Sequence, residues 1–201
     1  MKVFLETERL VLRQFILGDT DNLFELDSEP EVRRWGNGGN PSDYKTIQKQ
    51  TLPKWINYYE QYENYGVWAV VEKVSTEFIG WLHFYPAADS KFAVDLNLVT
   101  DNEIALGYRF KTSSWNKGYA TEGSRILVEK GFTQWNVSRV VSWTLLENKA
   151  SIRVMEKAGL KFEKEFIFTE TQLPNLKPSE RQAVKYALNK DEFDLENYLL
   201  K

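Results

Sequence analysis

At 201 residues the chain is long enough for one ordinary hydrophobic core and too short for a multi-domain machine. Its 42% hydrophobic and 27% charged residues exclude a globally disordered chain, and a net charge of −3, from 26 Lys plus Arg against 29 Asp plus Glu, disfavours a general grip on nucleic acid. The absence of cysteine excludes disulfides, thiolate metal sites and cysteine acyl intermediates, and a lone histidine, His83, excludes a multi-histidine metal site, so no metal is expected.

The longest apolar run, Val67 to Val71, is too short to span a bilayer, and Met1 to Leu10 lacks the pattern of an export leader. A cytoplasmic protein with a single domain over residues 1–201 is the expectation. Arg9 to Phe15 reads as a strand, and Gly18-Asp19 then offers a turn with a helix N-cap candidate. Leu23 and Leu26 mark the helical face that follows. Trp35 to Asp43, with three glycines and a proline, has loop chemistry throughout. Leu52, Trp55, Ile56 and Tyr59 recur at i, i+3, i+4 and i+7, a helix stripe in which Pro53 must start, kink or divide the helix.

Val67–Val71 and Phe78–Tyr85 are β-branched and aromatic segments separated by polar residues, the pattern of a hairpin. Glu103–Phe110 is a further strand, followed by a glycine-bearing turn that runs directly into a helix ending near Gly131. Arg139–Leu145 is another strand, after which Asn148 caps a helix closed by Gly159. Lys161–Thr169 and Gln182–Leu188 complete a set of seven strands and about four helices, which argues for an α+β or mixed α/β sheet.

The segment Trp115-Asn-Lys-Gly-Tyr-Ala-Thr121 carries the chemistry. A glycine turn between strand and helix presents unpaired N–H groups at the positive end of a helix dipole, as a diphosphate requires. It is neither a P-loop nor a dinucleotide fingerprint, because the lysine precedes the glycine and Gly118 has no glycine two residues before it. A structural alternative stands beside this one: Gly118 relieves a crowded turn, and Ala120 and Gly123 permit close packing of helix on sheet.

Three segments in order, Leu106-Gly-Tyr-Arg-Phe110, Trp115 to Glu122 and Glu147 to Leu160, together with Glu6 to Arg13 and Ala183 to Leu188, resemble the GCN5-related N-acetyltransferase (GNAT) superfamily, and within it the RimJ/RimL-like group. The resemblance implies a mostly antiparallel, twisted seven-stranded sheet flanked by about four helices. It also implies acetyl-CoA as donor, with the diphosphate on Asn116, Lys117, Gly118, Tyr119, Ala120 and Thr121, and pantetheine beside Tyr108, Arg109 and Phe110. The superfamily turn usually opens with Gln or Arg, where this chain has Trp115.

Asn148 reads as an N-cap and Ser151 as the N3 residue of its helix, while the resemblance implies that Asn148 contacts the cofactor and Ser151 protonates the departing thiolate. Glu103 is the first candidate for general base, equally readable as an exposed charge at a strand end, and His83 is a weaker one, equally readable as packed. Trp35, Tyr44 and Trp55 fall where the superfamily covers its acceptor. The implied activity is direct transfer to a primary amine, a protein N-terminal α-amine or a small amine, by a monomer or homodimer. Alternatives are an antibiotic or polyamine N-acetyltransferase and a non-catalytic acyl-CoA-binding regulator.

Overall fold

The first strand break in the chain is sharper than its hydrophobic pattern suggests. In the computed structural model, which describes residues 2–36, 40, 42–194 and 198, two strands stand where the sequence pattern gives one. They are β1 (Val3–Glu6) and β2 (Leu10–Gln14), an antiparallel pair with Thr7 N–H donating to the Leu10 carbonyl at 2.9 Å. Four residues leave too few alternations for β1 to declare itself. The remaining strands are β3 (Gly66–Glu72), β4 (Phe78–Pro86), β5 (Glu103–Phe110), β6 (Arg139–Leu145), β7 (Lys161–Ile167) and β8 (Gln182–Asn189).

Among the described residues the sheet therefore has eight strands where seven were expected, in the order β1-β2-β3-β4-β5-β6-β8-β7. β3 and β4 are sheet neighbours joined by a short turn, a connection only antiparallel strands can make, so the expected hairpin is present. β5 and β6 pair in parallel, and the crossover that such a pair needs contains α6 (Tyr119–Thr133). More helices form than the expected four: α1 (Thr20–Ser28), α2 (Pro30–Gly36), α3 (Tyr44–Thr46), α4 (Leu52–Gln61), α5 (Lys91–Asp95) and α7 (Lys149–Lys157) join α6. Short helices such as α3 and α5 show less than two turns of pattern, too little to be read from periodicity. Among the described residues no helix is long and apolar enough to cross a membrane.

The chain divides into two compact units, residues 1–83 with 108–123, and residues 84–107 with 124–201. The first is built on Leu10, Leu12, Phe15, Leu23, Leu26, Ile47, Leu52, Trp68 and Leu82, all buried. Asp19 does precede α1, but its carboxylate does not cap the helix. It accepts from the buried Arg13 guanidinium at 2.7 and 2.6 Å and from Ile16 N–H and Asn22. A buried cation claims the carboxylate ahead of an amide. Pro53 lies in the first turn of α4, where its missing N–H is tolerated, directly after a π-helical turn over Ile47–Thr51 that closes with Leu52 N–H donating to the Ile47 carbonyl. The expected loop starts later than its composition suggests, since α2 runs through Trp35 and Gly36, while residues 37–39 and 41 lie outside the described residues.

The second unit packs Phe84, Leu127, Val128 and Phe132 with Val140, Val141, Met155, Leu160, Val184 and Leu188. β6 and β8 pair antiparallel over seven consecutive positions from Arg139↔Asn189 to Leu145↔Ala183, and β7 closes the edge with a bulge between Phe162 and Lys164.

Candidate active site

The glycine turn lies wholly in the first unit. After β5 the chain makes a 3-10 turn at Thr112–Ser114, and the Trp115 indole N–H donates to the Phe110 carbonyl at 2.8 Å, pinning the turn to the end of the strand. This is the local work of the residue that stands in place of Gln or Arg. Asn116 (φ 60°) and Gly118 (φ 82°) both take left-handed backbone, and the chain thereby doubles back into α6.

Gly118 accepts the first α-helical bond, from Glu122 N–H at 2.9 Å, so helix geometry leaves the N–H groups of Gly118, Tyr119, Ala120 and Thr121 without an intrahelical acceptor. Asn116, Lys117 and Gly118 are exposed. A Cβ built on Gly118 would come within 4 Å of a single group, the Arg9 Nη2 at 3.4 Å, so the approach to the backbone is open on its other sides. These features fit the diphosphate of a CoA ester: free amide donors, a helix dipole and a surface that a phosphate can approach without meeting a side chain. Tyr119 has another task, since its ring is buried and its hydroxyl donates to Glu72. The packing role expected for Gly123 also holds, because a Cβ there would sit 2.4 Å from Leu82 Cδ1.

A cluster that sequence reasoning did not assign fixes this turn. Arg9, between β1 and β2, donates from Nε to Glu122 at 2.6 Å and from Nη1 to the Lys117 carbonyl at 2.9 Å, with its guanidinium 4.8 Å from the Tyr119 ring centre. Glu122 also accepts from Arg9 N–H at 2.9 Å and from the Thr7 hydroxyl at 2.5 Å. Burial opposes the Glu122 charge, yet these donors hold its carboxyl below the usual range. No local spacing announces a contact that spans more than a hundred residues.

Along β5, Tyr108 is half-buried and Phe110 buried. The Arg109 side chain pairs through Nη1 with Asp27 at 2.5 Å and lies 5.3 Å over the Trp81 ring. His83 stacks on Trp81 at 5.7 Å, and Trp81 meets Trp55 edge-on at 6.0 Å. Burial first, then the Arg109 charge, depresses the His83 pKa to about 3, so the imidazole is neutral at ordinary pH and too weak a base to collect a proton. Trp55 packs on Phe15, whereas Tyr44 packs on Phe24 and donates to Asp21 at the surface.

Asn148 and Ser151 belong to the second unit. Asn148 Oδ1 accepts from Ser151 N–H at 3.2 Å, the N-cap bond expected for α7. Glu103 requires a correction. It is 3% exposed, accepts from Lys185 Nζ at 3.0 and 3.2 Å, from Arg139 Nε at 2.9 Å and from Thr100 N–H at 3.1 Å. Burial alone would raise its pKa, but these donors outweigh burial and lower it. Glu103 is an interior anchor whose lone pairs are engaged, and not a free base at a strand end.

Comparison with known proteins identifies the family and the fold. A family model described as an acetyltransferase (GNAT) domain matches residues 9–161. An uncharacterized N-acetyltransferase p20 of Bacillus licheniformis is 29% identical over 163 residues, covering 80% of this chain and 83% of its own. The crystal structure of a GNAT-family acetyltransferase from Bacillus anthracis superposes with a TM-score of 0.73 at 21% identity, over 96% of this chain and 100% of that one. RimL, a ribosomal L7/L12 alpha-N-protein acetyltransferase solved with coenzyme A, superposes with a TM-score of 0.71 at 14% identity, over 96% and 100%. From the model match across three quarters of its length, the chain belongs to the GNAT acetyltransferase family, whose members draw their acetyl group from acetyl-CoA.

Proposed function

We propose that the protein is an acetyl-CoA-dependent N-acetyltransferase of the RimJ/RimL-like kind that passes the acetyl group directly to a primary amine, a protein N-terminal α-amine or a small amine. The observation that carries this reading is the exposed, left-handed Gly118 start of α6 in a chain of this family. Residues 116–121 bind the diphosphate through main-chain N–H groups, and the backbone of residues 108–110 lies along pantetheine. Acetyl-CoA supplies the thioester carbon that the amine attacks.

Direct transfer asks little of side chains: the neutral amine attacks the carbonyl, its nitrogen loses a proton through water as the C–N bond forms, a backbone N–H meets the oxyanion, and the thiolate is protonated as the C–S bond breaks. Ser151 is the proposed donor of that proton, with Asn148 orienting the cofactor arm. The α-amine acceptor takes its support from RimL, whose fold this chain shares.

The test is to incubate the protein with acetyl-CoA and panels of N-terminal peptides, polyamines and aminoglycosides while following CoA release. Turnover on peptides supports the α-amine reading, turnover on polyamines or aminoglycosides alone moves the acceptor to a small amine, and tight CoA binding with no turnover on any amine overturns catalysis in favour of a regulator.

A further inference from the structure

The opening segment Thr7-Glu-Arg9 has no part in the reaction as described, yet the Thr7 and Arg9 side chains are aimed at the cofactor turn and the helix after it. Arg9 joins both ends of that turn: its Nε and Nη2 reach Glu122, one turn into α6, each at 2.6 Å, and its Nη1 reaches the Lys117 carbonyl at 2.9 Å, just before Gly118. Thr7 holds the opposite Glu122 oxygen, which also takes the Arg9 N–H. The carboxylate is thereby saturated on both oxygens and cannot swing round to cap the free N–H groups at the head of its own helix.

We propose that Arg9 and Glu122 form a clamp that holds the Asn116–Ala120 turn open and pre-shaped for the CoA diphosphate, with Arg9 as a positioning residue for the donor. This rests on the reading that the turn binds CoA. Two physical consequences make the arrangement useful. A glycine-bearing turn with two left-handed residues has many accessible shapes, and fixing the Lys117 carbonyl removes most of them before the ligand arrives. Glu122, at an acid-favouring helix start, would otherwise place a negative charge where the phosphates belong, and the guanidinium neutralises it. The Arg9 side chain remains 43% exposed, so the pair is not a pillar of the hydrophobic core.

The experiment measures CoA affinity by calorimetry and steady-state kinetics for the wild type, Arg9→Ala, Glu122→Gln and the double variant, with melting temperatures recorded for each. Arg9→Ala should raise the KM for acetyl-CoA and the Kd for CoA by roughly ten- to a hundredfold, the scale of a lost charge-assisted hydrogen bond, with kcat and the acceptor KM nearly unchanged. The double variant should bind CoA no more weakly than Arg9→Ala alone, because both changes open the same clamp.

Unchanged CoA affinity in Arg9→Ala, a loss confined to kcat, or additive losses in the double variant would each overturn the clamp. Should Arg9→Ala not fold, Arg9→Lys takes its place. Lysine keeps the charge but cannot span Glu122 and the Lys117 carbonyl together, so KM for acetyl-CoA should still rise severalfold, and an unchanged KM counts against the proposal. A wild type that binds no CoA would instead remove the underlying assignment of the turn.

Discussion

Two carboxylates in this chain hold similar partners and do opposite kinds of work. Glu103, in the second unit, is sealed with Lys185 among side chains that are 1 and 2% exposed, whereas Glu122, in the first, sits at 18% beside an Arg9 that is 43% exposed. Both have donors on each oxygen, and both are held more acidic than an ordinary glutamate. The surroundings separate them. In a dry interior a pair is costly to break, because the survivor cannot recover water; at the surface the same pair is cheap to remove and can act on a neighbouring ligand. Formal charge and hydrogen-bond count therefore do not identify a functional acid, and the dielectric around it does.

The largest expected effect tests the buried half of that contrast. Lys185→Met leaves Glu103 interior with Arg139 as its remaining cation, and should lower unfolding free energy by about 3–5 kcal/mol in urea titrations. A loss below about 1 kcal/mol would mean that Glu103 hydrates or protonates readily, and would return it to the list of titratable bases. Next in size is Gly118→Asp, which places a carboxylate where the diphosphate is proposed to lie. CoA affinity should fall about a hundredfold or more by calorimetry, while stability drops only by the roughly 1–2 kcal/mol of forcing a side chain into left-handed backbone. Equal CoA affinity in the variant would take the turn out of the site.

The partners of both carboxylates escape a sequence reading for the same physical reason. Elements were legible where a period repeats: the α4 stripe, the β3–β4 hairpin and the Asn148 cap all stand where their local patterns place them. The glycine turn was legible too, because Gly118 and the helix after it are local chemistry. β1 is not, since four residues carry no period, and although Asp19 stands at the N-cap of α1 as expected, its place there says nothing of the buried Arg13 that takes its carboxylate. Glu103 meets Lys185 across 82 positions and Glu122 meets Arg9 across 113. Partners at that separation are set by sheet order and register, and neither composition nor spacing encodes them. Arg9 stood inside a segment singled out by family resemblance, but only the folded chain gives it a target.

A smaller effect is expected at the other helix start. Ser151→Ala should reduce kcat by about tenfold or more while leaving CoA affinity within about a factor of two, as expected for a residue that donates a proton only as the thiolate departs. A change confined to the acetyl-CoA KM would make Ser151 a binding residue, and would group the start of α7 with that of α6 in kind.

The smallest effect concerns a half-buried group whose charge is opposed by its surroundings, where that of Glu103 is matched. His83 has an ordinary pKa of 6.5 when unfolded and about 3 when folded, lowered by burial and then by Arg109. Between those values the unfolded chain binds a proton that the folded chain refuses, so stability falls as pH falls below 6.5 and keeps falling towards pH 3. The slope is at most about 1.4 kcal/mol per pH unit, and less in practice because the ring keeps some contact with solvent. Urea unfolding of the wild type and His83→Gln at pH 7, 6 and 5 reads this directly, since the substitution should flatten the acid slope whatever it does to stability at pH 7. Parallel slopes would show that folding leaves the imidazole near its ordinary pKa, and would restore it as a candidate base in the reaction.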